Sequence, residues 1–286
     1  MPIMFNTLLL EAGFKLEDVR LLRHKDQRSK KGRSPYELWR DNRPEFERYQ
    51  SVQGIHNRKK LSGNYWAIFV VNFENEALFG GFYSVKRIGL LKEDYTMPHN
   101  GTVDAAGSAD QYELKLMPQF EDLVGKMIID WGAGALAWIQ YPERNNKQII
   151  ELRTEFKEPS FPGFLNLIEP LSKMEKIPPS WIAALKSSRG IYLLTCPRTK
   201  EQYVGSATGE ESFWGRWIEY AHTGHGGDVA LKSRDTSDYQ VSILEVAGSW
   251  ATKDEILAME GKWQTKLQSR EMGLNRNLAK KRKSSY

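Results

Sequence analysis

Apolar residues follow two rhythms along this chain, and the change from one to the other divides it. Met4 to His24, with "LLLEAGFKLEDVRLLRH", reads as mostly helical and broken near Gly13. In "SPYELWRDNRPEFERYQSVQ", Ser34 followed three residues later by Glu37 forms a capping-box pattern and predicts a helix start. The rhythm then changes. "NYWAIFVVNF" (Asn64 to Phe73) and "ALFGGFYSVKRIGLL" (Ala77 to Leu91) are β-branched and aromatic, with "ENE" between them as a hairpin turn. "KMIIDW", "ALAWIQY" and "QIIELR" repeat that pattern up to Arg153. A mixed first domain is expected over 1–156, with helices ahead of a curled, mostly antiparallel sheet.

Five prolines between Pro159 and Pro179 interrupt any long helix, so 157–180 reads as a linker. A second domain is expected over 181–279, followed by a basic tail, 280–286. "PSWIAALKS" predicts a short helix, "GIYLLTC" and "EQYVGSA" two strands around the turn "PRTK", and "ESFWGRWIEYAH" (Glu211 to His222) a helix. "YQVSILEV" (Tyr239 to Val246) is a third strand. Thr252 and Glu255 cap a last helix in "ATKDEILAMEGKWQTKLQ". Both domains mix helix and strand, and the fold class is α+β.

Composition narrows the classes. Hydrophobic residues make up 40% of 286, enough for two packed domains. No apolar run approaches roughly 18 residues, so no membrane span is expected. The start of the chain lacks the basic and small-residue features of a signal peptide. One cysteine, Cys196, excludes an internal disulfide framework and a cysteine-rich zinc site. A reducing, cytoplasmic setting fits.

Net charge is +5, and its distribution says more than its sum. Arg20, Arg23, Lys25, Arg28, Lys30, Lys31 and Arg33 lie within fourteen residues beside a single acid. Arg58, Lys59 and Lys60 form a second cluster, and "KKRK" in the tail a third. Each cluster alone reads equally as a solvated loop. Together they point towards a phosphate backbone as partner.

Candidate chemistry concentrates in the second domain. In strand geometry Tyr192 faces opposite to Ile191, and Tyr203 opposite to Val204. Both tyrosines read first as core. Arg216 and Tyr220, four residues apart, share a helix face, and an Arg beneath a Tyr there suits a phosphate. His222 and His225 follow, without metal-ligand spacing. Glu260 falls within the apolar stripe Ile256, Met259, Trp263 and Leu267. An unpaired buried carboxylate is costly, so Glu260 either pairs with an Arg, sits at the stripe's edge, or holds a metal. Neighbouring Gly261 weakens the helix by about 1 kcal/mol relative to Ala and suggests a close approach there.

These elements, taken in order, resemble the GIY-YIG nuclease superfamily. "GIY", ten residues between its Tyr and the Tyr of "YVG", an Arg on the next helix, a Glu on a later one and an Asn in "GLNRN" match from about Ser188 to Leu278, roughly a third of the chain. The resemblance implies a three-stranded antiparallel sheet flanked by helices. It also implies hydrolysis of a DNA phosphodiester with one divalent ion, Mg²⁺ or Mn²⁺, per site. It makes Tyr192 the general base or water-positioning group, Tyr203 a hydrogen-bonding partner of the phosphate, and Arg216 a stabiliser of its growing charge. It makes Glu260 the metal ligand and Asn275 a brace, with Asn277 competing for that place. The family varies between Tyr and His at the place of Tyr220, and His222 is a candidate for catalytic support.

So small a nuclease core leaves target choice to the first domain. Trp66, Phe79, Phe82, Trp131 and Trp138 are either core or rings that hold a flipped base. Restriction or phage defence is the expected role, with repair or structure-specific cleavage as an alternative. A non-catalytic nucleic-acid-binding protein and an RNA nuclease are the competing classes. One active site per chain implies a homodimer, or two successive nicks, for double-strand cutting.

Overall fold

The computed structural model describes residues 2–25, 32–98, 100–132, 137–224, 226 and 238–275. The chain divides into two compact units, Met1–Lys157 and Glu158–Tyr286. Both mix helix and strand, as the α+β class requires.

The first unit is built on an eight-stranded sheet. Helix α1 (Phe5–Glu11) precedes strand β1 (Val19–His24), and α2 (Pro35–Asp41) and α3 (Arg43–Ser51) lead into the short β2 (Val52–Gly54). Then come β3 (Tyr65–Val71), β4 (Ala77–Leu90), the small β5–β6 ribbon (Tyr95–Thr96, Val103–Asp104), β7 (Ala109–Leu116), β8 (Met127–Ile129), β9 (Ile139–Gln140) and β10 (Ile149–Leu152). The main order is β10-β8-β4-β3-β1-β9, with β7 pairing β4 and β2. Every pairing is antiparallel except β1 with β3.

The end of "LLLEAGFKLEDVRLLRH" departs from the helical expectation, because Val19–His24 is a strand. Five of its six residues are buried, and a strand enclosed on both faces reads as an apolar run without strict alternation. The same reason explains "YWAIFVV". Ala67 and Phe69 pack with Phe5 and Leu9 on one side of the sheet. Trp66, Ile68 and Val70 pack with Leu38, Trp39 and Phe46 on the other. Ser34 accepts from the Glu37 amide while Glu37 accepts from the Ser34 amide at 2.6 Å, so the predicted capping box forms.

The second unit contains β11 (Ile168–Pro170), α4 (Pro179–Ser187), β12 (Gly190–Thr195), β13 (Gln202–Ala207), α5 (Ser212–Thr223), β14 (Gln240–Val246) and α6 (Lys253–Lys266). Its sheet has four strands in the order β11-β14-β12-β13, not the expected three. The extra strand comes from the segment read as a linker. Ile168–Pro170 pairs with Gln240–Ser242 at the sheet edge, where a proline's missing N–H is tolerated. Leu171 and Met174 follow it into the core. Residues 158–180 are therefore part of the second unit.

The two faces of this sheet carry different helices. Tyr192 lies opposite Gly205 and Leu194 opposite Tyr203 in the β12–β13 register, so both tyrosines share a face. Helix α5 covers it through Phe213, Trp217 and Tyr220. Helix α6 covers the opposite face, packing Ile256, Met259 and Trp263 on Ile191, Val204 and Leu193.

Candidate active site

The glycines of the two tripeptides are close-packing positions. A side chain on Gly190 would run into the Glu245 carbonyl and lie 3.0 Å from the Phe213 ring. A Cβ on Gly205 would overlap the Tyr192 hydroxyl and come within 2.5 Å of its ring carbon Cζ. The "G" of "YVG" is thus where the tyrosine of "GIY" rests.

Around that contact a polar cluster is buried. The Tyr192 and Tyr220 hydroxyls are 3.0 Å apart. Arg216 donates to the Tyr220 hydroxyl from Nη2 at 3.3 Å, and its guanidinium carbon stands 5.3 Å from that ring's centre. Tyr203 meets Tyr220 edge-on at 6.2 Å. Tyr192 has no exposed surface, Tyr220 is 1% exposed and Tyr203 8%. Sequence positions 192, 203, 216 and 220, on three elements, therefore meet at one site.

The electrostatics differ from the expectation for a base. Burial raises the Tyr192 phenol well above its ordinary value, and Tyr220 adds to the rise while Arg216 opposes it. Burial also raises Tyr220 strongly, with Tyr203 contributing. Near neutral pH both phenols are protonated and serve as hydrogen-bond donors. Burial by itself lowers Arg216, but Tyr192, Tyr220 and Glu219 outweigh it and the guanidinium stays charged. Its Nη1 is 2.8 Å from Glu219 Oε2 at the surface, so an incoming anion competes with Glu219.

Glu260 stands on α6, on the far side of the sheet from Arg216, and is half-buried at the edge of the stripe rather than within the core. Its Oε1 accepts from Gln264 Nε2 at 2.8 Å, and Gln264 Oε1 accepts from Arg270 Nε at 2.8 Å. Gln264 is buried, so the carboxylate is oriented from inside the protein. Sequence reasoning did not single out Gln264; its place one turn after Glu260 is the signal that would have found it. The expected close approach at Gly261 does not occur, because a Cβ there would meet open space.

Among the described residues no group of three or more His, Cys, Asp or Glu is placed to hold a metal. A single carboxylate suits only an ion that takes most ligands from water and substrate phosphate, as Mg²⁺ does. The engagement of Oε1 by Gln264 leaves Oε2 as the oxygen that could meet such an ion.

Asn275 braces the outer edge of β13. Its side chain accepts from the Val204 amide and donates to the Val204 carbonyl, both at 2.7 Å. Leu274 donates its amide to the Gln202 carbonyl at 2.8 Å. His222 pairs instead with Glu175, 2.8 Å away. His225, Asn277 and the basic tail lie outside the described residues.

The basic and aromatic candidates of the first unit divide. Arg20 is buried, with Nη1 donating to the Glu17 and Val19 carbonyls and Nε to that of Lys60, so it is structural. Arg58 and Arg87 both bind the buried Asp110, at 2.7 and 2.6 Å. Arg33 pairs with Asp41 at 2.9 Å. Lys25, Lys59 and Lys60 are exposed, and Arg23 is half-buried beside Trp131. Arg28, Lys30 and Lys31 lie outside the described residues. Trp66, Phe79, Phe82 and Trp131 are core, with Phe82 packed against Phe14 and Phe120. Of the aromatic candidates, Trp138 lines a cleft, together with Arg23 and Lys25.

No family model, curated protein or solved structure matches the chain. Among the described residues no helix is long and apolar enough to cross a membrane.

Proposed function

We propose that the second unit is a metal-dependent DNA endonuclease of the GIY-YIG kind, and that the first unit selects its target. A cytoplasmic role in restriction or phage defence fits that division. What supports the reading is the meeting of Tyr192, Tyr203, Arg216 and Tyr220 on one sheet face, with the hydroxyls of Tyr192 and Tyr220 3.0 Å apart. The motif's order in the sequence anticipates that meeting, and Gly190 and Gly205 are accounted for by the same packing.

Hydrolysis of a phosphodiester needs an attacking water, relief of charge on the non-bridging oxygens and a stabilised leaving oxygen. Arg216 supplies fixed positive charge for the phosphate once Glu219 gives way. The Tyr220 hydroxyl accepts from Arg216 and so orients this charge, and its contact with the buried Tyr192 hydroxyl fixes it in place. This reading moves Tyr192 from base to positioning group. Tyr203, more exposed than Tyr192, is the phenol closest to solvent. Glu260 would hold a divalent ion, whose chemistry there would be to lower the pKa of a bound water and to offset charge on the phosphate. Gln264 keeps the Glu260 carboxylate turned for that purpose.

A non-catalytic DNA-binding protein on a nuclease scaffold is the second reading, favoured by the lone carboxylate and by the strongly protonated phenols. Incubation of supercoiled plasmid with Mg²⁺ or Mn²⁺ separates the two. The nuclease reading expects nicked or linear product that disappears in Glu260→Ala and Arg216→Ala. Cutting that survives both substitutions refutes the proposed site, and binding without cutting by the parent favours the scaffold. A parallel RNA digest tests the choice of nucleic acid.

A further inference from the structure

The first unit contains a cleft of about 230 Å³ that the cleavage chemistry does not use. Two runs of three consecutive residues line it, 23–25 at the end of β1 and Val52–Gly54 of β2. Side chains along a strand alternate between faces, so three in a row bring backbone to the cleft wall. In β2 that backbone belongs to a strand that, among the described residues, is hydrogen-bonded on one side, by β7. A strand edge of this kind offers amide donors and carbonyl acceptors in one plane. The Gln53 side chain lies beside it and is anchored through Nε2 on the Gln50 carbonyl at 2.8 Å.

Two rings and Met97 form the rest of the wall. Trp138 and Tyr49 are half-buried, each keeping part of its surface exposed. His24, itself part of the lining, contacts both, with its ring 5.3 Å from Tyr49 edge-on and 6.0 Å from Trp138. Lys25 supplies positive charge, and none of the lining residues is acidic; the Arg23 guanidinium instead lies over Trp131, 5.0 Å from its ring centre. The volume falls below the range of about 300–1,000 Å³ typical for drug-sized ligands, which suits one heterocycle. Flat apolar surfaces, in-plane hydrogen-bonding groups and a flanking cation together describe a base with a phosphate beside it.

We propose that this cleft takes a single nucleobase everted from DNA. Trp138 stacks on its face, Gln53 and the β2 edge contact its hydrogen-bonding edge, and Lys25 meets an adjoining phosphate. The proposal rests on the DNA reading for its partner but not on the cleavage chemistry.

The test uses the full chain carrying Glu260→Ala, and fluorescence anisotropy with labelled duplexes. One duplex has a central mismatch, which lowers the cost of eversion; its twin has an abasic site at that position. The expected result is about ten-fold tighter binding of the mismatch duplex, the scale of one base stacked on an aromatic ring. Trp138→Ala and Gln53→Ala should each erase that preference while leaving abasic-duplex affinity unchanged, and Trp138→Phe should retain it. Equal affinity for the two duplexes, or a preference that survives Trp138→Ala, overturns the proposal. So does equal or tighter binding of a free deoxynucleotide or of the matching RNA. The parent protein is assayed for cleavage alongside. Base preference in a protein that cuts nothing supports the cleft and refutes the nuclease reading, and cleavage without base preference does the reverse.

Discussion

Replacing Tyr192 by Phe should change how the second unit responds to alkali, with a sign that follows from burial. Folding raises the Tyr192 phenol well above its ordinary value, whereas in the unfolded chain it titrates near 10. Above that value the unfolded state binds fewer protons than the folded state. Stability is therefore fully present below about pH 10 and falls as pH rises beyond it. The slope approaches about 1.4 kcal/mol per pH unit for each phenol held protonated. Tyr220, buried beside it, adds a second such contribution. The variant keeps the Tyr220 slope and loses the Tyr192 slope. At neutral pH it also loses the contact between the two hydroxyls, which costs about 1 kcal/mol. The stabilities of parent and variant should thus converge and cross near pH 11. Cys196, the chain's one cysteine, is 5% exposed and immediately follows β12, so its labelling in urea reports unfolding of this unit. The comparison of two proteins cancels phenols elsewhere, including Tyr83 and Tyr95, which burial pushes up to about 12. A constant stability difference from pH 8 to pH 11 would show that Tyr192 ionises as freely as an exposed phenol, and the argument would fail.

Three further outcomes follow from the packing and the hydrogen bonds. Gly205→Ala should destabilise the second unit by about 1–3 kcal/mol through overpacking; because the added Cβ overlaps the Tyr192 hydroxyl, Tyr192→Phe should recover part of that loss, and strict additivity in a double-mutant cycle would contradict the contact. Gln264→Ala should reduce any Mg²⁺-dependent cleavage about 10–100-fold, the usual cost of losing a residue that orients a metal ligand, with partial recovery at higher Mg²⁺; an unchanged rate would leave the Glu260–Gln264 contact without a functional part. Asp110→Asn should destabilise the first unit by about 1–3 kcal/mol at pH 7. Hydrogen bonds from Arg58 hold the Asp110 carboxyl below its ordinary range, so that stability is present above about pH 4 and lost as pH falls through the folded value; urea unfolding at pH 3 should show a smaller difference from the parent, and an equal one would contradict the charge argument.

Local signals were legible where one element sets its own structure. Both capping boxes form, at Ser34 and at Thr252, because each depends on residues three apart. The "GIY" and "YVG" strands and the shared face of Arg216 and Tyr220 were legible for the same reason. Longer-range facts were not. Val19–His24 looked helical because burial on both sheet faces removes the alternation that marks a strand. Arg20 and Arg58 looked like phosphate ligands until their partners appeared, the Glu17, Val19 and Lys60 carbonyls and the Asp110 carboxylate. Nor did the prolines of 158–180 reveal that Ile168–Pro170 would find an open sheet edge at β14.

The geometry also constrains where the nuclease reading can be right. Arg216 stands on the helix covering one face of the sheet and Glu260 on the helix covering the other, so the pair cannot meet across the sheet's centre. They can serve one phosphate only around a sheet edge, and β13 is the edge strand that carries Tyr203 and Gly205. Specific contacts hold that strand in place. Asn275 satisfies both backbone groups of Val204, Leu274 holds Gln202, and Gly205 admits the Tyr192 hydroxyl. A displacement of β13 by one residue would turn Tyr203 to the other face and separate it from Tyr220. The brace at Asn275 thus gives the motif's last residue a physical reason to lie so far along the chain: it sets the register of the strand on which the two halves of the site must meet.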